Sequence, residues 1–386
     1  MIYLDNAATT KMDPEVMKVV KTYSEEKFGN ASSVHTLGLE AKRELEQARD
    51  TIAKSIGAKS EEIIFTSGGT ESNNFAIKGV FFANPEKNHI ITTKIDHDCV
   101  LNACKWLETQ GAKITYLDVD KQGFVNPLNV EKAITPKTAL VSVIHGNNEI
   151  GTIQDLEAIG KICRERKVYL HTDACQSYTK VPINVKKQNL DLVTLNAHKI
   201  HGPKGVGALY IRQGIKITPL IHGGGQENKM RSGTENIPGI IGFATAVKIA
   251  KTKHKEQMEK IRDILIGGIL KIPHTKLNGP TGEKRLCNNI NISFGNIEGE
   301  AIGGYLDAYE ICSSTGSACS SKSLEPSHVL KAIGLSNLEA NSSIRLSISR
   351  FTTKEEINKV REILPKVVDK LRKISPFKLT KLKEGE

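Results

Sequence analysis

Short apolar runs alternate with longer segments of helical spacing over residues 14–211. Asp13 followed by Pro14 predicts the start of a helix that ends near Lys27, and a second helix is predicted from about Leu37 to Ile56. Because helical segments also separate most of the apolar runs that follow, the pattern predicts an α/β fold with a mostly parallel sheet covered on both faces. The apolar runs, typical of buried strands, lie at 63–66, 89–94, 113–118, 139–144, 168–172, 191–195 and 206–211.

The pattern changes beyond about residue 237. A long helical segment from Ile237 to Ile272, broken near Thr252, precedes two alternating runs that predict half-exposed strands at 289–294 and 343–348. We therefore expect two domains, a large α/β domain and a small α+β domain that combines both ends of the chain. The small domain is also predicted to contain helices at 299–309, 325–333 and 354–373, and the expected limits are 14–252 for the large domain and 1–13 with 253–386 for the small one.

Composition narrows the functional classes. The 386 residues are 39% hydrophobic and carry a formal net charge of +11, but the lysines are scattered and aromatic residues make up only 5%, which argues against nucleic acid as a partner. The start of the chain lacks a basic and apolar leader, and the longest apolar segment, 237–250, contains Lys248 and is too short to span a bilayer. We therefore expect a cytoplasmic protein without a membrane partner.

The seven cysteines are scattered, and none forms a Cys-x-x-Cys pair. Their odd number and their spacing argue against a disulfide framework and against a zinc site, so we expect no resident metal. The remaining functional interpretation of the cysteines is that at least one of them has a reactive thiol.

Polar residues follow four of the predicted strands. Because parallel strands end at one edge of a sheet, where ligands collect, these residues are expected to lie close together. They are His97, 147–149, Asp173, Gln176 and Lys199.

Lys199 lies between two histidines, His198 and His201, in a polar turn at 197–205. A lysine that is desolvated there would keep a neutral amine able to form a Schiff base. Taken alone, the stretch fits a solvated loop cation better. Residues elsewhere in the chain decide whether Lys199 is a Schiff-base lysine or a solvated loop cation.

The run 63–66 leads directly through Ser67 and two glycines into a helical segment that begins near Thr70. A strand, glycine turn and helix in this order present free amides and the positive end of a helix dipole to a phosphate group. The glycine spacing matches neither the P-loop nor the dinucleotide-binding pattern, and an ordinary capped turn fits the segment equally well.

Pyridoxal phosphate requires a lysine, a carboxylate for the pyridine nitrogen, a ring that stacks on the pyridine and a phosphate-binding turn. Lys199, Asp173, His97 and the turn at 67–70 supply one candidate for each.

Together these residues lie in segments that cover nearly the whole chain and that resemble the cysteine desulfurases of the NifS/IscS type. These enzymes belong to the class V aminotransferase family and to the fold-type I pyridoxal phosphate enzymes. The resemblance implies a large domain with a mostly parallel seven-stranded sheet and a small α+β domain. It is carried by the segments 3–10, 29–33, 66–74, 147–151, 173–176, 198–199, 223–227, 231–234 and 317–327.

The resemblance also implies a role for each site residue. Lys199 would form the Schiff base with the cofactor, Asp173 and Gln176 would hold the nitrogen and the phenolic oxygen of its ring, and His97 would stack on that ring and take part in catalysis. Arg345 would grip the substrate carboxylate. The further expected contacts are Asn148 to cofactor and substrate, and Gly69, Thr70, Asn196, His198 and, from a second subunit, Thr234 to the phosphate. Asn196 replaces the serine that the family usually has at this position.

The implied reaction converts L-cysteine to L-alanine and leaves the sulfur as a persulfide on Cys319, from which it passes to an acceptor protein for iron-sulfur cluster assembly or transfer-RNA thiolation. Cys319 lies among small and hydroxyl residues at 314–323, typical of a mobile exposed loop. A homodimer and transient binding of an iron-sulfur cluster by Cys319 are further implications.

The alternatives are a selenocysteine lyase or an aminotransferase on the same scaffold, or a sulfur-transfer platform without chemistry of its own. Roles for Cys99 and Cys175 stay open.

Overall fold

The computed structural model describes residues 1–315 and 326–376. In these residues the strands are β1 (Ile2–Tyr3), β2 (Ile63–Thr66), β3 (His89–Thr93), β4 (Lys113–Leu117), β5 (Thr138–Ser142), β6 (Tyr169–Asp173), β7 (Leu192–Asn196), β8 (Gly207–Ile211), β9 (Thr275–Leu277), β10 (Asn289–Phe294), β11 (Ile311–Cys312) and β12 (Ser343–Ser347). The helices are α1 (Pro14–Glu25), α2 (Thr36–Ser55), α3 (Gly69–Ala83), α4 (Asp98–Glu108), α5 (Pro127–Ala133), α6 (Leu156–Glu165), α7 (Ile237–Ile249), α8 (Thr252–Ile269), α9 (Gly299–Asp307), α10 (His328–Ala332), α11 (Asn337–Asn341) and α12 (Lys354–Ile374).

The largest sheet has seven strands in the order β2-β8-β7-β6-β5-β3-β4. Neighbouring strands are parallel except for the two pairs that β8 forms with β2 and β7. The expected mostly parallel seven-stranded sheet is therefore confirmed. All residues of β3, β5 and β7 are buried, as expected for strands covered on both faces.

Two apolar layers cover this sheet, and β2 contributes to both. Ile63 and Phe65 pack with residues of α1, α2 and α7 on one face, whereas Ile64 packs with residues of α3 and α4 on the other. The alternation follows from the pleat of a strand, which directs successive side chains to opposite faces. It explains why the buried strands read as continuous apolar runs.

A smaller sheet has the order β12-β10-β9, with antiparallel neighbours, and β1 pairs in parallel with β11. The apolar cluster around this sheet includes Ile2 and Leu4 together with residues of α8, α9 and α12. The first residues of the chain thus pack against its last third. The domain limits at 13/14 and 252/253 stay predictions.

Most predicted elements lie within a few residues of the observed ones, but four details differ. The strands β10 and β12, expected to be half-exposed, are buried along their whole length, because polar side chains of this sheet bond to one another, as Asn278 does to Asn291 and Ser293. The helix expected at 325–333 begins at His328, and the break in the long helical segment lies at 250–251. The strands β9 and β11 were not predicted, because segments of two or three residues are too short to show a period. No helix among the described residues is long and apolar enough to cross a membrane.

A buried ion pair satisfies the free edge of β2, the strand that leads into α3. Arg49 contacts Glu227 through two hydrogen bonds of 2.7 and 2.9 Å, and the two side chains are 5% and 3% exposed. Glu227 also accepts the amide N–H of Phe65 at 2.7 Å, while Arg49 donates to the carbonyl oxygen of Ile63 at 2.8 Å. The ion pair therefore supplies two of the hydrogen bonds that a neighbouring strand would form with this edge.

We expect the substitution Glu227→Gln to lower the free energy of unfolding by about 3–5 kcal/mol, because Arg49 loses its buried carboxylate partner and keeps only the more exposed carboxylate of Glu46. Urea denaturation followed by circular dichroism measures the change. Glu157→Gln is the matched control, since it removes an ion pair with Lys187 whose side chains are 70% and 57% exposed. Equal denaturation midpoints for the two variants would contradict the expectation.

Candidate functional site

A cavity of about 270 Å³ lies where the parallel strands of the large sheet end. His97 follows β3, Asn148 follows β5, Asp173 ends β6 and Lys199 follows β7, so the expected meeting of these residues at one edge is confirmed. The lining consists of Ala7, Ala8, Gly69, Thr70, Asn73, His97, Asp98, Cys99, Ile144, Asn148, Glu149, Asp173, Cys175, Gln176, Asn196, His198, Lys199, His328 and Arg345.

Lys199 ends a single 3-10 turn, Ala197–Lys199, that directly continues β7. Its Nζ donates to the carbonyl oxygens of Ala7 and Ala8 at 2.6 Å each. The amine is therefore held in the cavity by the first residues of the chain, and it is not the solvated loop cation that the stretch alone suggested.

His198, which precedes Lys199 in the chain, is a histidine with a lowered pKa. Burial lowers the pKa of His198 to about 4, and the charges of Lys199 and Lys204 act in the same direction. Its Nδ1 lies 3.1 Å from the hydroxyl oxygen of Thr9. The imidazole is thus neutral near pH 7 and serves as a hydrogen-bonding group without a charge of its own.

Asp173 is 4% exposed and is fixed by two donors. Its Oδ2 accepts from the Asn73 side-chain amide at 2.7 Å, and its Oδ1 accepts from the backbone N–H of Cys175 at 2.9 Å. Within residues 1–315 and 326–376 it forms no ion pair with Lys, Arg or His, so its charge is available to a cationic ligand group. Gln176, one turn further on, donates to the carbonyl oxygen of Ala7 at 2.8 Å.

His97 caps the N-terminus of α4. Its Nδ1 accepts the backbone N–H of Cys99 at 3.2 Å and lies 3.0 Å from the sulfur of the same residue. The sulfur also accepts from the side-chain amide of Asn73 at 3.0 Å. These contacts hold the imidazole against the cavity by one of its two nitrogens.

A second cavity adjoins the first at the start of α3, where Gly68, Thr70, Asn196, His198 and Lys204 line it. Gly68 provides no side chain to cap the helix. Amides of the first helical turn have no partner within the helix and carry the positive end of its dipole. This geometry suits a phosphate group.

Arg345, in β12, reaches the cavity from the small sheet and is 3% exposed. One terminal nitrogen donates to Asp5 Oδ1 at 3.0 Å and the other to the backbone oxygen of Asn148 at 3.2 Å. Its buried Nε has no hydrogen-bond partner among the described residues. Each terminal nitrogen carries a second N–H, so the guanidinium keeps donors for a ligand carboxylate.

Comparisons with known proteins agree with this geometry. Residues 2–360 match the family model "Aminotransferase class-V". The chain belongs to the class V aminotransferase family. It is 52% identical over 382 residues to the cysteine desulfurase IscS of Dictyoglomus turgidum, covering 98% of this chain and 97% of the relative. The identity to the cysteine desulfurase IscS of Methanosarcina thermophila is 51% over 381 residues, covering 97% and 94%.

Solved structures of the same family superpose closely on the chain. A NifS-like protein has a TM-score of 0.91 at 38% identity, covering 96% of this chain and 100% of that one. A structure of SspA in complex with cysteine has a TM-score of 0.83 at 39% identity, covering 92% and 100%. Membership among the NifS/IscS proteins, expected from the sequence motifs, is confirmed, as is the fold class.

Class V aminotransferases use pyridoxal 5'-phosphate, and the residues of the two cavities fit this cofactor. Lys199 supplies an amine, Asp173 a carboxylate without an ion pair, and the start of α3 an anion site. Asn196 lines both cavities, and its side-chain nitrogen Nδ2 is a donor suited to phosphate, whereas its buried Oδ1, which has no partner among the described residues, can only accept. The replacement of the usual serine by Asn196 therefore leaves a polar group at the anion site.

Two expected site residues are not among the described residues that line the cavity. Thr234 is exposed and lines a different cavity, next to Phe65 and Arg231. Its expected contact with the site of a second subunit stays a prediction. Cys319 lies outside the described residues. The other ten, Gly69, Thr70, His97, Asn148, Asp173, Gln176, Asn196, His198, Lys199 and Arg345, all line it.

Sequence reasoning missed the contact between Asn73 and Asp173 and the presence of His328 in the cavity wall. One signal pointed to Asn73. It lies three residues after Thr70 in α3, and residues at this spacing share a helix face. Nothing in the pattern pointed to His328, which follows in the chain more than 150 residues after Asp173.

Gly69 is required by close packing at the junction of the two cavities. A β-carbon at this position would lie 2.6 Å from the Cys175 sulfur and 3.3 Å from Asn196 Nδ2. We expect Gly69→Ala to weaken binding of pyridoxal phosphate about tenfold or more, because such overpacking costs about 1–3 kcal/mol. Absorbance titration of the cofactor-free protein measures the dissociation constant.

The control for this substitution is Gly304→Ala in α9, where an added β-carbon meets no described atom within 4 Å. This variant is expected to bind the cofactor with unchanged affinity. If Gly69→Ala behaved in the same way, the close packing at the start of α3 would not matter for the cofactor.

Proposed function

We propose that the chain is a cysteine desulfurase that converts L-cysteine to L-alanine and transfers the sulfur, through a persulfide on Cys319, to an acceptor protein. The observation that carries the proposal is the meeting of Lys199, Asp173 and Arg345 in one cavity of a chain that is 52% identical to a cysteine desulfurase IscS. The complex of the related SspA with cysteine supports L-cysteine as the substrate.

Residues of both cavities would hold the cofactor. Asp173 and Gln176 bind its ring nitrogen and phenolic oxygen, His97 stacks on the ring, and Asn148 also contacts the cofactor. When bound, pyridoxal phosphate supplies an electron sink for the α-carbon of the substrate. The phosphate is bound by Gly69, Thr70, Asn196 and His198, and by Thr234 of a second subunit.

Lys199 is the group that moves protons. Its Nζ, held beside the carbonyl oxygens of Ala7 and Ala8, takes the proton from the α-carbon of L-cysteine. The same nitrogen would also be the covalent anchor of the cofactor.

Arg345 orients the substrate by a two-pronged grip on its carboxylate, assisted by Asn148. The ion pair with Asp5 and the contact with the Asn148 backbone fix the guanidinium before the substrate arrives. A preset guanidinium loses less side-chain freedom on binding than a mobile one.

We expect Arg345→Lys to raise the KM for L-cysteine about tenfold or more, because an ammonium lacks the planar fork and a hydrogen bond to a charged group contributes about 1.5–3 kcal/mol. The affinity for pyridoxal phosphate stays unchanged. Steady-state kinetics of alanine formation and a cofactor titration measure both quantities. Arg166→Lys, in an exposed pair with Glu131, is the control. A KM equal to that of the control would exclude Arg345 as the carboxylate ligand.

The sulfur step uses the thiolate of Cys319 as the nucleophile. It attacks the substrate sulfur, forms an S–S bond and breaks the bond between sulfur and the β-carbon, whose electron pair stays on carbon and takes up a proton. The products are L-alanine and a persulfide on Cys319, so L-cysteine and the thiol supply all atoms and electrons. A thiolate of the acceptor protein then takes the outer sulfur by thiol exchange. Iron-sulfur cluster assembly and transfer-RNA thiolation are the two candidate destinations.

We expect Cys319→Ala to abolish alanine formation from L-cysteine, and mass analysis of the wild-type protein after addition of L-cysteine to locate one extra sulfur atom on Cys319. Cys104→Ala is the control, since Cys104 is fully buried in α4 and does not line the cavity. Full alanine formation by Cys319→Ala would favour a selenocysteine lyase. A wild-type protein that binds no cofactor would favour a sulfur-transfer platform.

The homodimer and the cytoplasmic location belong to the same proposal and rest on the resemblance to the NifS/IscS proteins. The possible transient binding of an iron-sulfur cluster by Cys319 also stays a prediction. Sedimentation of the purified chain tests the dimer directly.

A further inference from the structure

Cys99, to which the proposed function gives no role, connects two groups of the cavity wall that the cofactor ring would contact. Its sulfur lies 3.0 Å from His97 Nδ1 and 3.0 Å from the side-chain nitrogen of Asn73. The same nitrogen of Asn73 donates to Asp173 Oδ2 at 2.7 Å. A continuous hydrogen-bonded path therefore runs from His97 through Cys99 and Asn73 to Asp173.

The donors and acceptors along this path are fixed by chemistry. An ionised carboxylate only accepts hydrogen bonds, so the amide nitrogen of Asn73, not its oxygen, must face Asp173. The two hydrogens of that nitrogen then serve Asp173 and the sulfur of Cys99. The sulfur acts here as an acceptor, and its own hydrogen is left for another neighbour.

Cys99 holds that hydrogen near neutral pH. Burial raises the pKa of the Cys99 thiol to about 12, and the negative charge of Asp173 acts in the same direction. Two neighbours are in reach of the S–H group, His97 Nδ1 and the hydroxyl of Thr70. An imidazole nitrogen is the more basic acceptor, and a hydroxyl can itself donate to the sulfur. The S–H group therefore donates to His97.

His97 Nδ1 then faces two donors, this S–H group and the backbone N–H of Cys99 at 3.2 Å. A ring nitrogen that accepts cannot carry a proton, so the proton of the neutral imidazole lies on Nε2. We propose that Cys99 is a positioning residue that keeps His97 in the Nε2–H tautomer and connects its ring to Asp173 through Asn73. The catalytic meaning of this arrangement rests on the proposed function, in which His97 and Asp173 contact the cofactor.

The tautomer can be tested on cofactor-free protein labelled with nitrogen-15 in histidine, with His97→Gln identifying the signals. The wild type is expected to show an unprotonated Nδ1 and a protonated Nε2. Cys99→Ala removes one of two donors and is expected to shift the ratio of tautomers about 2- to 10-fold toward Nδ1–H, the effect of one lost hydrogen bond. Cys99→Ser keeps a donor and is expected to retain most of the preference.

Cys104→Ala is the matched control, since it removes a buried thiol from the same helix without touching the cavity. A wild-type His97 protonated on Nδ1 would overturn the proposal without any variant. So would a tautomer ratio in Cys99→Ala equal to that of Cys104→Ala. If Cys99→Ala fails to fold, the wild type and Cys99→Ser decide the question.

The holoenzyme gives a second readout. Cys99→Ala is expected to lower kcat for L-cysteine about 2- to 10-fold, with recovery in Cys99→Ser and no change in KM, because the substrate carboxylate binds elsewhere, at Arg345. A raised KM with unchanged kcat would contradict the assignment to His97. Failure of the wild type to form alanine would refute the proposed function, whereas the tautomer measurement would still decide the role of Cys99.

Discussion

Parallel strands deliver the residues that follow them to one edge of a sheet, and in this chain β3, β5, β6 and β7 do so side by side. Each strand is buried on both faces, so its polar continuation can only lie at the strand end, where the backbone leaves the apolar layers. His97, Asn148, Asp173 and Lys199 are these continuations. The antiparallel β8 lies between β7 and β2, and the end of β2 leads into the glycine turn before α3.

The first nine residues of the chain connect this edge to the small sheet. The backbone N–H of Ala7 donates to the Ser347 hydroxyl at 2.8 Å, while the carbonyl oxygens of Ala7 and Ala8 hold the amine of Lys199. Asp5 in turn pairs with Arg345. One short segment therefore fixes Lys199 and Arg345, the proposed cofactor anchor and the proposed substrate ligand, relative to each other. Ala7 and Ala8 have small side chains, which lets the backbone itself supply the contacts to Lys199.

The cavity wall contains both charged side chains and side chains that burial keeps neutral. Under the proposed function, Arg345 brings positive charge toward the substrate carboxylate, while Asp173 provides one negative charge that two donors fix. Burial keeps His198 unprotonated, with a pKa of about 4, and keeps the thiol of Cys99 protonated, with a pKa of about 12. Hydrogen bonds with such groups have a fixed direction, so the wall can orient a ligand and also the histidine that contacts it.

The sequence by itself determined the alternation of strands and helices, the edge at which the site lies and, through its motifs, the family, because apolar period and strand-end position are local properties. Ten of the twelve expected site residues line the cavity, Thr234 lies apart from it, and Cys319 falls outside the described residues. Only the tertiary structure decided that Asn73 joins Cys99 to Asp173, that the carbonyl oxygens of Ala7 and Ala8 hold Lys199, and that His328 reaches the wall. These contacts link residues far apart in the chain, and their partners are set by sheet order and packing, which no local pattern encodes.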